Sequence, residues 1–568
     1  MKRRHFLIGS TVAGTALAYE GCSALSIPPS RGGYALNVGY STSTVGGYTM
    51  RTRTYNGSTV GPMFQTRPGS MLSITVNNQL PPNPPAVVPS GTVRLAKYES
   101  MYEVMRRRAS GTTTAAGTVD PMNNPHAFNT TNLHVHGLQT VPHLYDPIGT
   151  SNASSMMIGI EPGKSFAYSF PIPPDHPSGL FWYHPHHHGS TDVQVSSGMA
   201  GLIVVRGAID DVPEIARMRE IFVVVQTLNV NHNPQTGIYE YEPIAYAVPT
   251  FNPSTGGYSG TTDYTMFTTN GQGIGWVNNN DANPAPTVLS VPQFTMAPGE
   301  VVRVRFLNGT NQYYLPLVLP GMTCYQIGFD GINLPAPVAA TFDFSGTVSA
   351  ANMNAVNTCN TSPGNRVELL VQAPQTPGTY TLSAAAQSDI EFPFPSFPIA
   401  HFLVSGSPVS MAIPAALPIP AREYPLIADG EIMGRRTVTF NESTTQPPNF
   451  DLLLTGFWPW MNNGLFDDMT INTNVSLGTA EEWTVANTTM CGHPFHIHTN
   501  SFQLTHINGA ALPVPQIYDT FMVPPGTAAN PGTITFRIRF KQFPGKTVYH
   551  CHILPHEDTG MMQNILIT

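Results

Sequence analysis

The sequence predicts an all-β protein built from three related β-sandwich domains, and three observations carry that expectation. Only 11% of the 568 residues are charged, while 50 glycines and 54 prolines punctuate the chain. That composition suits many short strands joined by tight turns rather than long helices. Alternating runs such as those at 51–55, 71–76 and 535–540 read as strands between those turns. One pattern also occurs three times: a Pro-Gly turn, an alternating strand, a second turn, and a strand containing tyrosine. The first copy runs from Pro162-Gly163 to Tyr183-His184 and the third from Pro525-Gly526 to Tyr549-His550. The middle copy, Pro363-Gly364 to Thr379-Tyr380, continues as Thr381-Leu382-Ser383 where the others have histidine. The spacing is far too long for a solenoid, so the copies mark separate domains.

Taken in order, the chain opens on an address. Lys2-Arg3-Arg4-His5-Phe6-Leu7 precedes a weakly apolar run to Ala18, a signal-peptide pattern, with Ala16-Leu17-Ala18 as the candidate cleavage site. Arg3-Arg4 resembles a twin-arginine signal, which implies export of a folded protein by the twin-arginine machinery to the periplasm or exterior. The run is too short and too rich in glycine and threonine for a transmembrane helix. Cys22 raises the alternative of a lipoprotein, but Tyr19-Glu20-Gly21 makes a poor lipobox. Residues 1–33 are therefore read as signal and tail. The domains follow at 34–207, 208–407 and 408–568, the last boundary lying in a proline-rich linker. Residues 81–125 read as an inserted surface loop with a short helix at 93–108; residues 345–363 read as an insertion in the middle domain. A net charge of −8 gives no electrostatic footprint for nucleic acid. A monomer is expected. Of five cysteines, Cys324 and Cys359 are the candidate disulfide in an oxidising compartment, and Cys491 reads as a buried free thiol.

The chemistry is concentrated in four histidine pairs. Leu133-His134-Val135-His136-Gly137, His184-Pro185-His186, His496-Ile497-His498 and His550-Cys551-His552 each space two histidines as alternate residues of a strand, on one face about 7 Å apart. In the last, Cys551 faces the opposite way, so one strand can serve two metal sites. His493, His556 and Met561 complete a set of two imidazoles, a thiolate and a thioether, the ligands of a blue-copper site. Four pairs with a cysteine-centred loop are too many for satisfied core histidines.

The stretch from His550 to Met562, with the other histidine motifs, resembles the multicopper oxidases, closest to the bacterial copper-efflux-oxidase and spore-coat-laccase branch. The resemblance covers roughly residues 34–568 and implies three cupredoxin-like Greek-key domains and four coppers. It places His493, Cys551, His556 and Met561 on a type 1 copper, and His134 and His496 on a type 2 copper. His136, His184, His186, His498, His550 and His552 fall to the type 3 pair. It further implies dioxygen as acceptor, a small reducing substrate as donor, electron uptake at His493 and His556, and Glu557 as a proton carrier. Asp146 is a second candidate carrier, with a solvated or structural role equally open. His187 reads as structural and His188 as a neighbour of the ligands.

Three other readings compete. A copper-free structural relative lacks the histidines and cysteine, a simple electron carrier leaves eight histidines unexplained, and a copper nitrite reductase does not use this four-pair set. The donor is less constrained. The 23 methionines are scattered rather than gathered in one insert, which favours phenolic or aromatic-amine donors over cuprous ion. Phe457-Trp458-Pro459-Trp460-Met461 is either a donor-pocket lining or part of the third domain's core.

Overall fold

The computed structural model describes residues 33–83, 126–241, 250–252, 257–259, 264–279, 285–340, 342–354, 359–388, 390, 394–443, 458–462 and 466–568. The signal segment, nearly all of the 81–125 insertion with its expected helix, and Phe457 lie outside these residues.

Alternation produces the first sandwich. In the strand Met71–Asn78, Leu72, Ile74, Val76 and Asn78 are buried and their neighbours are not. This strand and Tyr34–Val45, Tyr48–Tyr55 and Ser165–Pro171 form one layer. Its apolar face meets a four-stranded sheet of Gly61–Thr66, Gly201–Val205, Gly179–His184 and His134–His136. The second sheet is buried on both sides, which is why Gly179–His184 and Gly201–Val205 have no exposed residue. Its outer face, with Leu180, Trp182, Leu202 and Val204, packs on Phe222, Val224 and Leu307 of the middle domain.

The middle sandwich pairs a sheet containing Glu220–His232, Val301–Asn308, Arg366–Gln372 and Thr323–Phe329 with a five-stranded sheet centred on Gly378–Ala384 and Phe397–Val404. Tyr239–Glu240 pairs with both Glu220–His232 and Tyr48–Tyr55, joining the first and middle domains in one thirteen-stranded sheet. The third sandwich sets six strands, among them Ala480–Asn487 and Gly532–Arg539, against five that include His493–Ile497, Thr520–Val523 and Gly545–Cys551. Among the described residues the only α-helices are Thr191–Val195 and Leu554–Asp558. They pack together, with the Asp558 carboxylate accepting the N–H groups of Gly189, Thr191 and Asp192. No described helix is long and apolar enough to cross a membrane.

The structure corrects the cysteine reading. Cys324 and Cys359 lie in the same apolar core but are separate free thiols. Burial pushes Cys324 up to about 12 and Cys359 well above its usual range, so both stay neutral. Cys491 is half-buried rather than buried. Met353, the methionine of the middle-domain insertion, packs with Tyr314, Val348 and Met522 in an apolar cluster. Met461 ends an edge strand and is buried in the core.

Candidate metal centre

Strand register divides the histidines between two sites. His496 pairs with His550 and Phe495 with Cys551. Because side chains alternate, His496 and His550 share one face while His493, Phe495 and Cys551 share the other. In the first domain His134 pairs with His184. The seam between these domains gathers three groups whose ligand atoms lie within 4.8 Å of one another: His134, His136 and His496; His136, His184 and His552; His186, His498 and His550. A fourth group, His493, Cys551 and His556, lies on the other face.

Hydrogen bonding fixes which nitrogen faces inward for four of the eight rings. A carbonyl oxygen only accepts, so the Nδ1 atoms of His184, His550 and His496 carry protons toward Pro185 O at 2.8 Å, Cys551 O at 2.9 Å and Asp519 O at 2.8 Å. Their Nε2 atoms are therefore lone pairs. His136 is turned the other way: its Nε2 lies 3.2 Å from the Asp519 carboxylate, leaving Nδ1 facing His552 Nε2 at 3.3 Å. Lone pairs thus converge in a buried space, and the Nε2 atoms of His134, His184 and His496 have no hydrogen-bond partner. Burial first, then the neighbouring imidazoles, holds the His134, His136, His186, His496, His498 and His552 pKa values well below the usual range. His184, also depressed by burial, falls to about 3. Neutral imidazoles converging without donors are what a metal cation fits.

The fourth group is built the same way. The Thr489 hydroxyl donates to Cys491 O at 2.9 Å and accepts His493 Nε2–H at 2.7 Å, so His493 Nδ1 faces Cys551 Sγ at 3.6 Å. His556 Nδ1 lies 3.8 Å from the same sulfur and 3.2 Å from His493 Nδ1. The Ile553 N–H donates to Cys551 Sγ at 3.5 Å, and Met561 is fully buried with its carbonyl accepting the Cys551 N–H. His493 is buried, while His556 is only partly so and offers the exposed edge.

Glu557 is fully buried, 3.2 Å from His186 Nδ1 and 3.1 Å from His550 Nδ1. Burial, with Asp558 beside it, raises its pKa well above the carboxylate range. Asp146 stands apart: it is exposed on the short strand Tyr145–Asp146 and belongs to none of the four groups. His187 is buried against Ser190, and the His188 ring packs on Phe466.

Sequence reasoning missed a wall of the site supplied by the middle domain. Arg366 grips the Asp519 carboxylate at 3.0 and 2.6 Å. Asp330 in turn accepts the backbone N–H groups of Arg366, Asp519 and Thr520. Gly364 has a φ of +91°, and a Cβ there would lie 2.9 Å from His136 Cε1 and 3.1 Å from His552 Nε2. Gly137, the last residue of the first histidine motif, has a φ of +77°; a Cβ there would strike Arg366 and Asp519. Both glycines are needed for conformation and for space. The Pro363-Gly364 turn of the middle domain thus closes the histidine cluster although its own repeat carries no histidine pair.

Three sandwich domains, a thiolate with two imidazoles, and three converging imidazole groups define a copper redox protein. The multicopper oxidase family matches residues 117–209, 251–407 and 441–568. The chain belongs to that family and is a copper-dependent oxidoreductase. It is 25% identical over 447 residues to the multicopper oxidase mco of Staphylococcus haemolyticus, covering 77% of each chain. To the laccase of Bacillus subtilis it is 23% identical over 430 residues, covering 68% of this chain and 70% of the laccase. A multicopper oxidase of Campylobacter jejuni, described as a metallo-oxidase, shares the fold with a TM-score of 0.64 at 21% identity, covering 95% of this chain and 93% of its own.

Proposed function

We propose that this oxidase couples one-electron oxidation of phenolic or aromatic-amine donors to four-electron reduction of dioxygen to water. The observation that carries the reading is the strand ending at Cys551. Cys551 and its immediate neighbours His550 and His552 put the thiolate group on one face and the imidazole cluster on the other, so a single backbone segment links them. In this reading His493, Cys551, His556 and Met561 hold the type 1 copper, and His134 and His496 the type 2 copper. His136, His184 and His552 hold one type 3 copper; His186, His498 and His550 hold the other. Copper bound there supplies one-electron redox chemistry at the thiolate and multi-electron chemistry at the cluster.

The chain's own groups do the rest. The partly exposed edge of His556 meets the donor, because His493 is covered. Glu557, whose pKa burial raises beside His186 and His550, is placed to deliver protons. Asp146, exposed on the first domain, remains a second candidate carrier. Export through the twin-arginine machinery to the periplasm or exterior, supported by Arg3-Arg4, belongs to the same reading, as does a monomeric state.

Burial of Met353 and Met522 supports organic donors, since neither thioether meets solvent. One observation favours cuprous oxidation instead: Met490 is 82% exposed, three residues before His493. The test compares kcat/KM for 2,6-dimethoxyphenol and for Cu(I) supplied anaerobically. The proposal expects phenol oxidation without added copper. A much higher efficiency with Cu(I), or phenol oxidation only in excess copper, would reverse the choice.

A further inference from the structure

The loop after His136 carries an imidazole that the copper ligand set does not use. His143 is buried at 2% exposure, with its ring packed edge-on against Phe170. Its Nδ1 lies 3.1 Å from the Val141 carbonyl, which only accepts, so Nδ1 bears the proton. Its Nε2 receives the Val135 N–H at 3.2 Å and is therefore a lone pair. The same Nε2 lies 3.0 Å from His134 Nδ1, with the two rings tilted by only 14°. Two lone pairs would repel at that distance, so His134 Nδ1 carries a proton and donates it. What remains on His134 is Nε2, buried and without a hydrogen-bond partner, facing the cluster.

We propose that His143 is a positioning residue of the type 2 site, holding His134 in the tautomer that presents Nε2 to the metal and strengthening that nitrogen as a donor. The inference rests on the multicopper oxidase reading of His134 and His496. The two rings are held differently. His496 Nδ1 meets a backbone carbonyl and the Thr520 hydroxyl, whereas His134 Nδ1 meets an imidazole nitrogen. An imidazole lone pair is a stronger base than a carbonyl oxygen. It draws the His134 N–H further and makes the opposite nitrogen more basic, as the outer hydrogen-bond partners of metal-bound histidines do. Val135 links this device to the strand itself, because its N–H lies between the two ligands His134 and His136 and fixes His143 in place.

The test uses copper-loaded full-length His143→Gln and His143→Leu. Glutamine keeps an acceptor and a donor on the side chain; leucine fills space with neither. Type 2 copper affinity is read by chelator competition, and pulsed electron paramagnetic resonance reads the remote nitrogen of its imidazole ligands. The leucine variant is expected to keep its blue band and lose type 2 affinity by about 10–100-fold, with glutamine retaining most of it and shifting the remote-nitrogen coupling. Equal losses in both variants would make His143 a packing residue and overturn the proposal. So would unchanged affinity in the leucine variant, or an unchanged remote-nitrogen signal in glutamine, which alone decides if leucine does not fold. A parent with a blue band but no type 2 signal would overturn the oxidase reading as well. A four-copper parent with insensitive variants would overturn only this one.

Discussion

Arg366→Met probes the brace between the middle domain and the histidine cluster. The Arg366 side chain is fully buried, with Asp519 oxygens at 3.0 and 2.6 Å and Asp330 Oδ1 at 3.4 Å. Methionine fills similar volume and removes the cation, leaving two buried carboxylates facing each other. Deleting one partner of a buried ion pair costs about 3–5 kcal/mol. For a domain of this size that corresponds to a melting shift of roughly 6–20 °C. The assay is thermal unfolding of the copper-loaded protein followed by near-ultraviolet circular dichroism, with copper retention measured in parallel. Arg366→Met should melt well below the parent and lose copper from the cluster before the blue site. Arg366→Met combined with Asp519→Asn should recover part of the loss, because one uncompensated charge is gone. A single variant that melts with the parent, or a double variant no more stable than the single, would refute the brace.

Cys551→Ser should abolish both the blue band and oxidase activity, since the visible transition needs the copper–thiolate bond; a copper-loaded variant that stays blue contradicts the assignment. Glu557→Gln should leave copper content near the parent's and slow turnover by about 10²–10⁴-fold, the range a general acid supplies; loss of copper instead would make the residue structural. Acid should weaken the junction of the first and middle domains. Burial alone would raise Glu220 and Asp210, but Arg303, Arg305 and Arg206 outweigh it and hold both pKa values below the usual carboxylate range. A depressed folded-state pKa contributes stability that is present above the unfolded value of about 4 and lost as pH falls through the folded one. Denaturation midpoints should therefore drop below about pH 4, and less steeply in Glu220→Gln; identical profiles for the two proteins would reject the linkage.

The histidine motifs were legible in the sequence because a strand's period of two leaves little freedom: once His550, Cys551 and His552 are on a strand, their faces follow. The three sandwiches were legible for a related reason, since the Pro-Gly turns that end strands recur in each. The wall formed by Asp330, Arg366 and Asp519 was not. His136 and Asp519 are 383 residues apart and meet only through domain packing, and no local spacing marks that meeting. Gly137 and Gly364 were the available signals, because each keeps a positive φ beside a crowded ring or ion pair. His143 was visible as a histidine near a motif, yet its seven-residue offset from His136 fits no strand period, so its role waited on the loop's path. Cys324 and Cys359 show the opposite error. Both lie in the middle domain's core, as their positions imply, but as neutral thiols in an apolar environment rather than as a bond.

The most direct test of the central claim is the ratio of donor electrons to dioxygen consumed, measured with an oxygen electrode and a phenolic donor while peroxide is assayed in the same vessel. The expected result is four electrons for each dioxygen, no accumulated peroxide, and loss of uptake when copper is removed. Two electrons per dioxygen with peroxide released in proportion would contradict it, because the imidazole cluster at the domain seam would then not be completing the reduction.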